Sequence, residues 1–265
     1  MMMKIAILSD IHGNIVALEA VLKDMQLEGN FDYILVPGDF FAFGPAPNEV
    51  FTVLSNLPNT LFLMGNTDRY LLEKTYPSSV GGNGWQEKLL LSFRWTADHL
   101  APGAYRLLET LPATQLIQDG DRQLLAVHGS PRSDEEGLTA KTDHKQFQEM
   151  SIAPEVSVLV CGHTHIPMDR VINGVRVINA GSVGLPFDRD PRACYAIISN
   201  LAGNGSGSTQ VELRRVVYDI DQAIDQFYNR HHPAADISAY NLWAGRSIGS
   251  SLIYTAEMRH HHFNN

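Results

Sequence analysis

The stretch Lys4-Ile5-Ala6-Ile7-Leu8-Ser9-Asp10-Ile11-His12-Gly13 decides how the rest of the chain is read. Five apolar-weighted residues form a buried strand, and the chain then delivers a carboxylate and an imidazole separated by one residue. Working outward, Ile15, Leu18, Val21, Leu22 and Met25 recur at helical spacing behind a candidate Asn14 cap. Tyr33–Val36 and Thr60–Met64 are the next strands, with a helix between them over about 48–57. This alternation implies βαβ units, hence a sheet with helices packed on it.

The same grammar repeats downstream. Residues Gln123–Val127, Val156–Val160, Ala193–Ile198 and Val211–Val217 read as strands, and Asn173-Gly174 supplies the turn chemistry of a type I′ hairpin. Trp85 to Leu111 is helical, broken at Pro102-Gly103, and is expected to be an inserted cap within 70–112. Helical segments follow from Asp219, an extension over 219–265 of what we read as a single domain covering 1–265. The Gly- and Ser-rich run from Asn200 to Thr209 is a turn between strands.

Each of five strands is followed at once by metal-competent side chains: Asp10 and His12, then Asp39, Asn66, His128, and the pair His163 and His165. In an α/β sheet the loops at the carboxyl ends of strands converge on one crevice. Oxygen and imidazole donors together suit Mn, Fe, Zn, Co or Ni better than Ca or Mg, and no motif offers thiolate. Gly13, Gly38, Gly65, Gly129 and Gly162 beside these residues allow sharp turns and close approach.

As a set, Asp10-x-His12, Gly38-Asp39, Gly65-Asn66-x-Asp68, His128 and Gly162-His163-x-His165 resemble the calcineurin-like metallophosphoesterase superfamily. Asn179-Ala180-Gly181-Ser182-Val183-Gly184 is similar to a segment of its small bacterial phosphodiesterase-like branch. The resemblance implies a four-layer α/β/β/α sandwich of two mixed sheets flanked by helices, with a helical insertion. It also implies one divalent ion on Asp10, His12, Asp39 and His165, and a second on Asp39, Asn66, His128 and His163, with manganese favoured. Asp39, Asn66, His128 and His165 are the implied catalytic residues, with Asp39 bridging. The implied reaction is hydrolysis of a small phosphodiester or nucleotide-like ester by a hydroxide between ions about 3.5–4 Å apart. Rivals are a phosphomonoesterase or dinucleoside-polyphosphate hydrolase, and a non-catalytic scaffold. Scaffolds lose ligands; this chain has all seven. Many members carry His where this chain has Thr67, whose hydroxyl is no acid near neutral pH.

The bulk composition constrains partners. The 265-residue chain carries a formal charge of −9, which argues against stable nucleic-acid binding and leaves a small phosphate-ester substrate as the expected partner. Only Asp10 and Asp39 among the seven donors are charged, so two divalent ions would leave a net positive site on an acidic protein. With Cys161 and Cys194 as the only cysteines, and no apolar run of signal or membrane length, a reducing, cytoplasmic setting away from membranes is expected. The sequence carries no signal of oligomeric state.

Other residues have a plainer reading beside the functional one. Asp68 reads as a helix cap or as a support for a ligand, and Asn179 and Ser182 as phosphate-positioning or turn residues. Within 188–192, arginine could reach a phosphate or merely pair with its acidic neighbours. Trp85 and Trp95 could stack on a base or fill core. Cys161 reads as a small buried residue, and His231-His232 and His260-His261-His262 as solvated.

Overall fold

Both faces of the central strands are apolar, and the architecture follows from what covers each face. The computed structural model describes residues 3–76, 84–201 and 209–247. Its elements run β1 (Lys4–Ile7), α1 (Ile15–Leu27), β2 (Tyr33–Val36), α2 (Pro47–Ser55), β3 (Thr60–Phe62), α3 (Asn66–Glu73), α4 (Gly84–His99), α5 (Pro102–Leu108) and β4 (Thr114–Asp119). They continue with β5 (Arg122–Val127), α6 (His144–Gln148), β6 (Val156–Cys161), β7 (Met168–Ile172), β8 (Val175–Asn179), β9 (Ala193–Ser199), β10 (Gln210–Val216), α7 (Ile220–Asn229) and α8 (Ala235–Ala244).

The strands form two five-stranded sheets, ordered β10-β9-β1-β2-β3 and β4-β5-β6-β8-β7. In the first, β1, β2 and β3 are parallel; in the second, β5, β6 and β8 are. Antiparallel strands complete both sheets. The period of two along each strand then sorts side chains into layers. Ile5 and Ile7 of β1 pack against Leu124, Ala126, Val158 and Val160 of the facing sheet. Ala6 and Leu8, one step out of phase, pack with Leu18 and Val21 of α1. On β6, Val158 and Val160 face the partner sheet, whereas Leu159 and Cys161 face outward with Phe147 of α6. Each such fully buried Ile or Leu contributes roughly 1.5–3 kcal/mol.

The expected four layers are therefore present, with unequal outer layers. Helices α1–α5, α7 and α8 all place residues in the cluster over the first sheet. Among the described residues, the second sheet is covered by the five-residue α6 and its flanking loops.

Several local expectations are met. The Asn14 side chain accepts the Ala17 N–H at 3.1 Å and caps α1. The helical stretch breaks between His99 and Pro102. Asn173 and Gly174 have φ values of 50° and 85°, positive at both positions as a type I′ turn requires.

One strand is absent from the sequence reading. β4 forms an edge in which only Ile117 is buried, so its apolar pattern is faint. Most of the Gly- and Ser-rich turn, part of 70–112 and the tail from 248, including His260–His262, lie outside the described residues. No described helix is long and apolar enough to cross a membrane.

Candidate metal centre

Five of the seven sequence-selected residues leave their strands through backbone that L-residues avoid. Asp10, His12, Asp39, His163 and His165 have φ of 56°, 48°, 59°, 65° and 59°. Each left-handed non-glycine residue costs roughly 1–2 kcal/mol, and such strain collects where function requires it. Backbone bonds join neighbouring loops within each sheet: His12 N–H donates to Asp39 O at 3.0 Å in the first and Gly162 N–H to His128 O at 2.8 Å in the second. Two glycines make the close approach of the loops possible, one within the first sheet and one between the sheets. A Cβ on Gly65 would lie 2.2 Å from Asp39 Oδ1, and one on Gly162 would lie 2.0 Å from Ser9 Oγ. The close approach is thus between site loops, each glycine making room for a neighbouring side chain.

All seven residues come together. His12, Asp10, Asp39, Asn66, His128 and His165 are buried and His163 is largely so. The ligand atoms of Asp10, His12, Asp39 and His165 lie within 4.8 Å of one another. Nδ1 of His12 faces Ala42 O at 3.1 Å, that of His165 faces Leu185 O at 2.5 Å, and that of His128 faces Pro37 O at 2.7 Å. A carbonyl can only accept, so each Nδ1 carries the proton and each Nε2 is left to point inward. His12 Nε2 and His165 Nε2 then face each other at 3.1 Å. At that distance the two nitrogens need either a shared proton or a cation near both.

The second half of the cluster is built alike. Asn66 Oδ1 is 2.9 Å from His128 Nε2 and 3.0 Å from His163 Nδ1. Asp39 joins the halves: its Oδ2 lies 3.6 Å from His12 Nε2 and 3.5 Å from His128 Nε2. Its other oxygen, Oδ1, accepts the Thr67 N–H at 3.0 Å. Oxygen and imidazole acceptors converging on common points fit divalent cations.

The electrostatics agree. Burial opposes ionisation of Asp10 and Asp39, but His165 beside the first and His128 beside the second hold both below the usual carboxylate range. Burial pushes His12 down to about 4. Burial also disfavours charge on His128, yet Asp39 brings it up to about 10, so an incoming cation would displace a proton there.

Supporting residues show why the loops hold. Asp68, fully buried in the first turn of α3, accepts Asp39 N–H at 2.6 Å and Gly65 N–H at 3.2 Å on Oδ2, and Phe40 N–H at 3.1 Å on Oδ1. It is both helix cap and clamp on the Asp39 loop. Burial and the Asp39 charge push its carboxyl up, against the Phe40 and Asp39 N–H donors. Asn179 donates to Gly162 O at 2.6 Å, and the Ser182 hydroxyl donates to Asp10 O at 2.6 Å. Both therefore tie ligand loops, and neither lines the cavity beside the cluster. Ser9, which the sequence reading passed over, donates to Asp10 Oδ2 at 2.5 Å; its position beside a ligand was the only signal.

Two expectations are resolved against the functional or solvated reading. Arg192 pairs with Asp190 at 2.6 Å, Asp188 pairs with Arg215 from β10, and neither Arg189 nor Arg192 lines the cavity. His232 is not solvated: it is 3 % exposed, with Nε2 3.1 Å from Ser92 Oγ and its ring edge-on to Trp95 and Phe227. The chain after α7 folds back onto α4, which a short polar sequence before Pro233 did not announce. Cys161 is buried at the end of β6, as read.

A cavity of 240 Å³ opens on the cluster. His12, Asp39, Asn66, His163 and His165 form one side; Trp85 and Leu89 of α4, Phe227 of α7 and Ile237 and Leu242 of α8 form the other. These walls could not be found from periodicity, because the residues belong to helices distant in sequence.

The fold is that of a metallophosphoesterase. Residues 3–201 match the calcineurin-like phosphoesterase superfamily domain, and the chain belongs to that superfamily. It is similar to a metallophosphoesterase from Sphaerobacter thermophilus of known structure, with 29 % identity and a TM-score of 0.73, covering 92 % of this chain and 100 % of that one. It shares its fold with the hypothetical protein PH1004 from Pyrococcus horikoshii OT3, at 21 % identity and a TM-score of 0.76 over 92 % of this chain and 99 % of that one. Among curated proteins it is 26 % identical to the uncharacterized protein MJ0912 of Methanocaldococcus jannaschii over 86 % of this chain and 93 % of the relative.

Proposed function

We propose that this chain hydrolyses a small phosphodiester or nucleotide-like phosphate ester with two divalent cations, manganese favoured. Asp10, His12, Asp39 and His165 would hold one ion, and Asp39, Asn66, His128 and His163 the other. The observation that carries this reading is the position of Asp39 Oδ2, nearly equidistant from His12 Nε2 and His128 Nε2 at 3.6 and 3.5 Å, which suits a bridging carboxylate. When bound, the ion pair supplies an activated water and positive charge opposite the phosphoryl oxygens.

The chain's own residues contribute orientation and charge. Backbone carbonyls of Ala42, Pro37 and Leu185 lock the tautomers of His12, His128 and His165, as outer partners of metal-binding histidines do. The Thr67 N–H fixes Asp39 Oδ1, leaving Oδ2 to the cluster. Thr67 has no group acidic enough to protonate a leaving oxygen near neutral pH, which favours esters whose leaving group is a weak base. In the same reading, the helices within 70–112 and after 219 wall the substrate cavity, supported by Leu89 and Ile237 at its lining.

Metal analysis of the purified protein, followed by assay of chromogenic mono- and diesters with added Mn²⁺, tests the proposal. Two ions per chain and diester hydrolysis are expected. Asp39→Asn should lose turnover and at least one ion; full activity with both ions retained would refute the bridging role.

A further inference from the structure

The cavity beside the cluster also constrains what is attached to the phosphate, a point that rests on the phosphoesterase reading above. Its lining is mainly apolar and aromatic: Trp85, Leu89, Phe227 and Ile237 come from the helices, Phe43 and Phe187 pack beside His12 and His165, and Ser92, Ser238 and Asn241 lie among them. No lysine or arginine lines it among the described residues. A polyphosphate chain entering such a space would lose its hydration with no cation in return. An uncharged ring would exchange water for aromatic and aliphatic contact. The size agrees: an apolar cavity of about 150 Å³ accommodates benzene, so 240 Å³ holds one ring beside a phosphoryl group.

One polar group in this wall has a fixed sense. Ser92, 1 % exposed on α4, lies with Oγ 3.1 Å from His232 Nε2. His232 Nδ1 accepts the Ala234 N–H at 3.3 Å, so the proton of the neutral ring sits on Nε2. Burial keeps that imidazole neutral, lowering its pKa to about 4. Nε2–H therefore donates to Ser92 Oγ, and the Ser92 hydrogen is left free to donate. Ser92 is thus no nucleophile, because His232 offers it no base. It is a donor on the rim of an apolar chamber.

We infer that the chamber is a subsite for a single uncharged aromatic ring bearing a hydrogen-bond acceptor, such as a heteroaromatic base, with Ser92 as the donor that reads the acceptor. The substrate class is then a phosphate ester of a ring-bearing alcohol or phenol, and a dinucleoside polyphosphate is disfavoured. Ser92 is a specificity residue in this scheme and takes no part in the reaction at phosphorus.

Binding of non-hydrolysable phosphonates to the Mn²⁺-supplemented protein, read by calorimetry and by fluorescence of Trp85 in the wall, provides the test. Phenylphosphonate should bind at least about tenfold tighter than methylphosphonate, and pyridylphosphonate about three- to tenfold tighter than phenylphosphonate, as one neutral hydrogen bond allows. Ser92→Ala should erase the pyridyl advantage and keep the phenyl advantage. Ile237→Trp, which fills the chamber, should erase the phenyl advantage while methylphosphonate still binds. Equal binding of phenyl- and methylphosphonate, with both bound, overturns the ring subsite and leaves the phosphoesterase reading standing. An undiminished pyridyl advantage in Ser92→Ala, with the variant melting as the parent does, overturns the role of Ser92. Failure of every phosphonate to bind overturns the phosphoesterase reading and the subsite with it.

Discussion

Replacing Asp68 by Asn should damage the metal centre through a residue that touches no metal. The carboxylate is fully buried and accepts three backbone N–H groups, two on Oδ2 from Asp39 and Gly65 and one on Oδ1 from Phe40. An amide keeps one oxygen. The better orientation retains the Asp39 and Gly65 bonds and turns the NH₂ toward the Phe40 N–H, setting donor against donor. A buried hydrogen bond contributes about 0.5–3 kcal/mol according to the charge on its acceptor, and a stranded buried donor costs about 1–3 kcal/mol. With partial relaxation, Asp68→Asn should lose about 2–4 kcal/mol. For a chain of this size that is a fall in Tm of about 5–15 °C. Because Asp39 hangs from Asp68 at 2.6 Å in a left-handed conformation, its loop should loosen as well. Metal affinity should drop about 10- to 100-fold, the usual cost of losing an outer partner. Urea denaturation of the metal-free protein gives the first quantity and Mn²⁺ titration the second. A variant within about 0.5 kcal/mol of the parent and of equal Mn²⁺ affinity would refute the clamp.

Gly65→Ala brings a Cβ to 2.2 Å from Asp39 Oδ1, so it should cost about 1–3 kcal/mol by overpacking and at least tenfold in metal affinity. Gly84→Ala, where a Cβ meets nothing within 4 Å, is the matched control and should bind metal normally. Stability of the chelator-treated protein should peak near pH 6.5. His128, raised to about 10, stabilises fully below its unfolded value of 6.5 and loses that contribution as pH climbs toward 10. His12, lowered to about 4, stays neutral when folded, so stability falls as pH drops from 6.5 toward 4. Melts across pH 5–9 check this, and no alkaline decline without metal would contradict the Asp39–His128 pairing. Reloading Mn²⁺ should flatten that alkaline limb, since a bound cation takes the place of the His128 proton.

The clustered side chains were legible because they sit on local signals. Short apolar runs mark β1, β2, β3, β5 and β6, and the residue types within a few positions of each strand end state the chemistry. Residues whose partners lie far along the chain were not legible. Nothing near Asp68 says that its carboxylate will meet Phe40, and nothing near His232 says that it will be buried against Ser92, 140 positions away. β4 escaped because an edge strand with one buried side chain lacks the alternation by which strands are recognised.

By itself, then, the order of residues determined which side chains would be offered, at which strand ends, and the hairpin turn at Asn173-Gly174, since strand periodicity, caps and turn types depend on neighbours a few residues apart. Only the tertiary structure decided that the offering strands divide between two facing sheets, that one oxygen of Asp39 lies between His12 and His128, and that helices α4, α7 and α8 close an apolar chamber over the cluster. Those outcomes depend on which faces pack against which, a choice made by burial of the whole chain at once and carried by no short stretch of it.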